Sequence, residues 1–141
     1  MYPLKLAKIV TLFDSLSEDE RRANLIAYAE QARRLAPQAG ETFDIEDVRK
    51  DEECTDTVGI FLRVDVERRA HFRVTLGPQV QTLTRAMAAI LCTGLEGATV
   101  EEVLALPADF VPRIVGAHLV RIRSQTVYYV LMRMKEACAR A

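Results

Sequence analysis

Residues 58–76 read Val-Gly-Ile-Phe-Leu-Arg-Val-Asp-Val-Glu-Arg-Arg-Ala-His-Phe-Arg-Val-Thr-Leu. Val58, Ile60, Leu62, Val64 and Val66 alternate with Gly59, Phe61, Arg63, Asp65 and Glu67, the period of two that a strand with one buried face requires. Beyond a polar turn near Arg68 and Arg69, Ala70, Phe72, Val74 and Leu76 alternate with His71, Arg73 and Thr75. Two such runs around a short turn predict an antiparallel hairpin, which Gly77-Pro78 ends.

The flanks have a different period. Leu6, Ile9, Val10, Phe13 and Leu16 share one helical stripe, and Ser17-Glu-Asp-Glu20 has the spacing of a capping box. A second helix is expected from there to about Leu35, with Leu25, Tyr28, Ala29 and Ala32 on its apolar face, ended by Pro37 and Gly40. After the hairpin, a helix is expected from about Gln79, striped by Val80, Leu83, Met87, Ile90 and Leu91. Thr99-Val-Glu-Glu102 is a second capping box, Pro107 opens a short helical turn reaching about Gly116, and a last helix starts at Ser124. Its face carries Val127, Val130, Leu131, Met134 and Cys138. The fold class is therefore α+β, a small antiparallel sheet of two to three strands covered on one face by helices.

At 141 residues the chain is expected to be a single domain, 1–141. Lys and Arg number 19 against 20 Asp and Glu, for a net charge of −1, which argues against a nucleic-acid binder. No apolar run approaches the roughly 18 residues of a membrane span, and the N-terminus lacks a signal-peptide profile. The three cysteines are an odd number without close spacing, against a disulfide framework. A reduced, cytoplasmic protein is the expectation.

Residues 36–56 are the one long irregular stretch. Phe43, Ile45 and Val48 alternate loosely enough for a short strand, and Arg49-Lys-Asp-Glu-Glu-Cys-Thr-Asp56 is a charged run holding one thiol. Cys54 is expected to be exposed, and an exposed free cysteine suggests reactivity. Asp51, Glu52, Glu53 and Asp56 disfavour its thiolate, offset only in part by Arg49 and Lys50. Cys92 and Cys138 follow apolar stripes and read as packing residues. Together with His71, expected to be solvated, and His118, they lack metal-ligand spacing. Neither a Gly-x-Ser-x-Gly elbow nor a Gly-rich phosphate loop is present. Arg121-Ile-Arg123-Ser124 is a basic cluster able to set a cation beside an anion.

These elements together resemble the SufE family, over essentially the whole chain. Pro3–Phe13 and Glu20-Arg21 are similar to its N-terminal helical pair, and Glu53-Cys-Thr-Asp-Thr-Val-Gly-Ile-Phe-Leu62 to its cysteine loop and strand. Ala89–Phe110 is similar to its stretch after the sheet, and Arg123-Ser-Gln125 to the element opening its last helix. The sequence departs from the family where Gln79 and Val80 stand in place of an Asp, Ala86 and Thr126 in place of Gly, Gly59 in place of Trp, and Arg121 and Ile122 in place of Pro and Ser.

The resemblance implies a SufE/IscU-like fold. It also implies that Cys54 accepts persulfide sulfur from a cysteine desulfurase (SufS-like), stimulates it, and passes the sulfur to an iron–sulfur scaffold complex (SufBCD-like). Arg123 would support the loop or the partner contact. The chain would hold no cofactor or metal of its own, since the pyridoxal phosphate belongs to the partner and the persulfide on Cys54 is transient. A scaffold role needs several convergent ligands, and Cys54 is the single thiol in the loop. The alternatives are an adaptor or diverged paralogue that binds a desulfurase-like partner without taking sulfur, and a thiol-redox enzyme, for which Cys54 lacks a nearby resolving cysteine.

Overall fold

The alternation over residues 58–76 closes into the hairpin it predicts. In the computed structural model, which describes residues 1–141, β2 (Val58–Val64) pairs antiparallel with β3 (Ala70–Leu76). Val58 faces Leu76, Ile60 faces Val74 and Leu62 faces Phe72, so the apolar parities of both strands share the buried face. β2 stops at Val64, two residues earlier than expected. The Asp65 carboxylate accepts from the amides of Glu67 and Arg69, Arg68 takes a left-handed φ of 65°, and Val66 is left fully exposed. A side-chain acceptor that ties its own turn outcompetes two more rungs of ladder.

The loosely alternating segment before the charged run does form a strand. β1 (Ile45–Arg49) lies against β2, giving the order β1-β2-β3. Its parity differs from expectation: Ile45, Asp47 and Arg49 stand opposite Leu62, Ile60 and Val58, so two charged residues share the core-side face. Val48 stands opposite Gly59 and is exposed. The helix covering this end of the sheet carries a buried arginine, and Asp47 is turned toward it.

The helices are α1 (Leu4–Asp14), α2 (Glu18–Gln31, continued by one 3-10 turn over Ala32–Leu35), α3 (Thr82–Gly94), α4 (Val100–Ala105), α5 (Val111–Val115), α6 (Ala117–Ile122) and α7 (Ser124–Arg140). Both capping boxes form as expected: Ser17 with Glu20 at α2, and Thr99 with Glu102 at α4. α6 is an element the sequence pattern did not separate. Gly116, at φ 90°, breaks the chain after α5 and restarts it, and a Cβ there would press on the Arg21 guanidinium. α3 is the central element, with Ala86 through Leu91 fully buried against α1, α2, α7 and β3. Val58, Ile60, Leu62, Leu91, Phe110, Ile114, Val127 and Met134 belong to the same core of 35 buried residues.

α3 begins at Thr82, not at Gln79, because the backbone of Gln79 is engaged elsewhere: its amide donates to Asp56 and its carbonyl accepts from the Thr55 hydroxyl. His71 also differs from its expected solvated state. Its Nδ1 lies 2.9 Å from Glu96 and its Nε2 2.9 Å from Asp65, which joins the hairpin turn to the end of α3.

The Ser17 hydroxyl accepts from the Glu20 amide, and the Glu20 carboxylate accepts from the Ser17 amide. Ser17→Ala is expected to lower the unfolding free energy by about 1 kcal/mol, read as an earlier urea midpoint with an unchanged slope. An unmoved midpoint would mean that water serves those amides equally well.

Candidate functional site

The charged run after β1 turns back on itself. The Cys54 amide donates to the carbonyl of Asp51, closing a tight turn over Asp51–Cys54, and both flanks of that turn are fastened. On the far side, the Thr55 hydroxyl donates to the Gln79 carbonyl at 2.5 Å. The Asp56 carboxylate accepts from the amides of Thr57 and Gln79 at 2.7 and 2.8 Å. Gly77 makes this seat possible, since a Cβ there would collide with the Asp56 carboxylate. Arg85 holds the same segment by donating to the carbonyls of Gly77 and Val80.

On the near side the fastening is ionic. The Arg49 guanidinium donates to Asp51, to Asp47 at 2.7 Å and to Glu136 at 2.9 Å. Asp51 also accepts from the Tyr129 hydroxyl at 2.7 Å, and that bond is the leading reason its carboxyl titrates below the usual range. Beneath Tyr129 lies Arg133, a guanidinium with no exposed surface. It donates to the Tyr129 hydroxyl, to the Asp47 carbonyl at 2.8 Å and to the Val58 carbonyl at 3.0 Å. Asp47 and Asp51 carboxylates stand 3.4 and 3.7 Å away, and Nε has no partner.

Cys54 is not exposed as expected: 9% of its surface is accessible, because the loop folds its thiol toward the core. Burial is the largest influence on the thiol and pushes its pKa up. The Tyr129 hydroxyl and the Arg133 charge pull it down, and Asp51 and Glu53 push it up again. The net direction is upward, so the resting thiol is protonated at neutral pH. Tyr129 is close enough to act on the sulfur, although its proton is directed to Asp51. Cys92 and Cys138 are packing residues whose thiols burial raises to about 12 and about 11.

Arg123 is not brought to Cys54; the cation that acts on the thiol is Arg133. Arg123 sits at the junction of α6 and α7, exposed, and its guanidinium makes no hydrogen bond or ion pair. With Arg22, Leu25, Ile26, Leu83 and Leu119 it lines a shallow depression of about 510 Å³. Residues 79–82 connect the two places, since Gln79 holds the Cys54 loop while Gln81 and Thr82 line the depression. No three His, Cys, Asp or Glu side chains converge on a point where a metal ion would sit.

Tyr129 and Arg133 were not singled out in the sequence. The available signal was a charge with Tyr129, Val130 and Ala137 at three of its four i±3 and i±4 positions and Glu136 at the fourth, a placement that on a packed helix means a partnered charge. Asp47 and Arg49 carried no signal, because the strand they occupy is too short and too polar to show its parity.

The family model for SufE, described as an Fe-S metabolism associated domain, matches residues 7–138. Among solved structures, the solution structure of a hypothetical protein from Thermus thermophilus superposes with a TM-score of 0.74 at 25% identity, covering 100% of this chain and 98% of that one. No curated protein matches the sequence.

Gly77→Ala is expected to unseat the Asp56 carboxylate and free the Gln79 amide, lowering stability by roughly 1–3 kcal/mol in urea unfolding. A wild-type midpoint would mean that Asp56 moves into solvent at no cost.

Proposed function

Because this chain belongs to the SufE family of proteins associated with iron–sulfur metabolism, we propose that it is a sulfur acceptor, with Cys54 as the residue that carries the sulfur. The observation that carries the reading is the contrast among the three thiols. Cys92 and Cys138 lie inside helices on packed faces, whereas Cys54 sits on the turn of a loop between two strands, near the surface. A thiol on a loop can be presented to another protein without dismantling the core.

The donor is a cysteine desulfurase of the SufS type, which generates a persulfide on its own cysteine using its own pyridoxal phosphate. Cys54 as thiolate attacks the outer, terminal sulfur. A new bond forms to that sulfur, the bond between the two desulfurase sulfurs breaks, and the desulfurase cysteine leaves as thiolate. Oxidation level is conserved across the exchange: one persulfide is consumed and one is formed. The Cys54 persulfide is then delivered to a scaffold complex of the SufBCD type. Clearing the desulfurase of its product raises its turnover, so this chain acts as a carrier rather than a stand-alone enzyme.

The burial of Cys54 supports a division of labour. The free carrier keeps a protonated, shielded thiol, which resists oxidation. Contact with the donor turns the loop outward, where the thiol loses the desolvation that raises its pKa. Arg123 has a different task in this reading. Its unpaired guanidinium, set beside Leu25, Ile26, Leu83 and Leu119, suits a contact with a carboxylate on the partner. The reading places the chain in the cytoplasm, where thiols stay reduced; no helix is long and apolar enough to cross a membrane.

After incubation with a cysteine desulfurase and L-cysteine, the intact mass should rise by about one sulfur atom, reversibly with reductant, and Cys54→Ser should show no gain. Stimulation of the desulfurase by Cys54→Ser equal to that by wild type would replace the acceptor with an adaptor. Arg123→Ala is expected to weaken desulfurase binding roughly twofold to fivefold, the ~0.5–1 kcal/mol of an exposed ion pair, with Cys54 loading at saturation unchanged. Unaltered affinity would remove Arg123 from the contact.

A further inference from the structure

On the near side of the Cys54 loop, Arg49 of β1 and Tyr129 of α7 both bind Asp51, and the α7 part of this fastening has a layered construction. Arg133 forms the base. Its guanidinium is wholly buried and bridges the Asp47 carbonyl, in the middle of β1, to the Val58 carbonyl at the start of β2, so it ties together the two strands between which the loop is strung. Tyr129, one turn earlier on α7, receives a hydrogen bond from Arg133 and gives its own proton to the Asp51 side chain. Asp51 opens the turn whose last amide is that of Cys54. The order of contacts is therefore Arg133, Tyr129, Asp51, Cys54.

We propose that Tyr129, seated on the buried Arg133 guanidinium, is the positioning residue that holds the Cys54 loop closed, and that its bond to Asp51 is the contact a sulfur donor must break to reach the thiol. The second half of this statement rests on the reading of Cys54 as the sulfur acceptor. The geometry separates Tyr129 from an ordinary core tyrosine. Its ring is 2% exposed within the core cluster, but its hydroxyl proton is directed to the loop and not to any helix or strand. Arg133 keeps its two carbonyl acceptors and the Tyr129 hydroxyl whether or not Asp51 is docked, so opening the loop at Asp51 breaks none of its hydrogen bonds. The charges facing the thiol are Arg133 from α7 and Asp51 and Glu53 from its own loop. An open loop carries Asp51, Glu53 and Cys54 away from Arg133 together.

Cys92 and Cys138, at 3% and 1% exposure, serve as internal reporters. Local release of the loop uncovers Cys54 alone, whereas a loss of global stability uncovers all three thiols in step. The test is site-resolved thiol labelling of the full chain with a small neutral disulfide, from pH 7 to pH 10, so that the limiting rate at high pH is obtained separately from the midpoint. Tyr129→Phe keeps the ring and removes only the hydroxyl. Its limiting rate at Cys54 is expected to rise on the order of tenfold, the population shift from one hydrogen bond to a charged group, with Cys92 and Cys138 as protected as in wild type. Asp51→Ala removes the same contact from the loop side together with the Arg49 bond and should give a gain at least as large. The double variant should add little to Asp51→Ala alone. An unchanged limiting rate in Tyr129→Phe overturns the proposal, and so does labelling of Cys92 and Cys138 in parallel with Cys54.

The labelling needs no desulfurase, so it stands apart from the acceptor reading. Failure of wild type to take up sulfur would remove that reading and leave the loop contact intact. With a desulfurase that does load wild type, Tyr129→Phe should reach half-maximal loading at a lower desulfurase concentration. A requirement equal to that of wild type would show that the donor does not open this contact.

Discussion

A guanidinium with no exposed surface organises this molecule. Removing a full charge from water carries a penalty of several kcal/mol that hydrogen-bond acceptors and nearby carboxylates must offset. Arg133 finds them on three separate segments: the Asp47 carbonyl, the Val58 carbonyl and the Tyr129 hydroxyl, with the Asp47 and Asp51 carboxylates alongside. Meeting that set fixes how α7 is rotated against the sheet. It also ties β1 to β2, and it accounts for Asp47 and Arg49 standing on the core-side face of β1, where aliphatic residues would otherwise be expected. Each of these features follows from the single requirement that the charge be matched.

The same requirement shapes the chemistry. Arg133 lies under the loop that carries Cys54, so the one thiol outside the helices rests beside a fixed positive charge and two negative ones. Burial is the stronger effect, and the thiol is kept protonated. A thiol held in a low-reactivity state fits the proposed carrier role, in which the folded loop would guard the sulfur until docking changes its surroundings. The far side of the loop obeys a separate constraint. Asp56 occupies the space beside Gly77 that a side chain would take, and by holding the Gln79 amide it delays the start of α3.

Those two constraints explain where local pattern and structure part. The hairpin was legible because apolar residues alternate along both strands and only one register buries them all. The capping boxes at Ser17 and Thr99 were legible because they are reciprocal contacts within a single helical turn. β2 was expected to run on to Val66, and α3 to start at Gln79, because apolar periodicity continues through those positions. In each case an aspartate, Asp65 or Asp56, binds main-chain amides and ends the pattern. Cys54 was identified from its charged surroundings, but those same charges suggested exposure. Asp51 is bound by Tyr129 and Arg49, and these ties draw the loop inward.

The sequence by itself determined the class of fold, the order of its elements apart from α6, the family and the separation of Cys54 from two packing cysteines. Those properties rest on periodicities and short-range contacts that a linear reading preserves. Tertiary structure alone decided that Cys54 faces inward, that Arg133 and not Arg123 is the cation beside it, and that Tyr129 fastens its loop. Residues 47, 51, 54, 129 and 133 meet only when α7 lies across the β1–β2 ends. The bonds joining them span up to 86 positions, a separation at which residue type says nothing about distance.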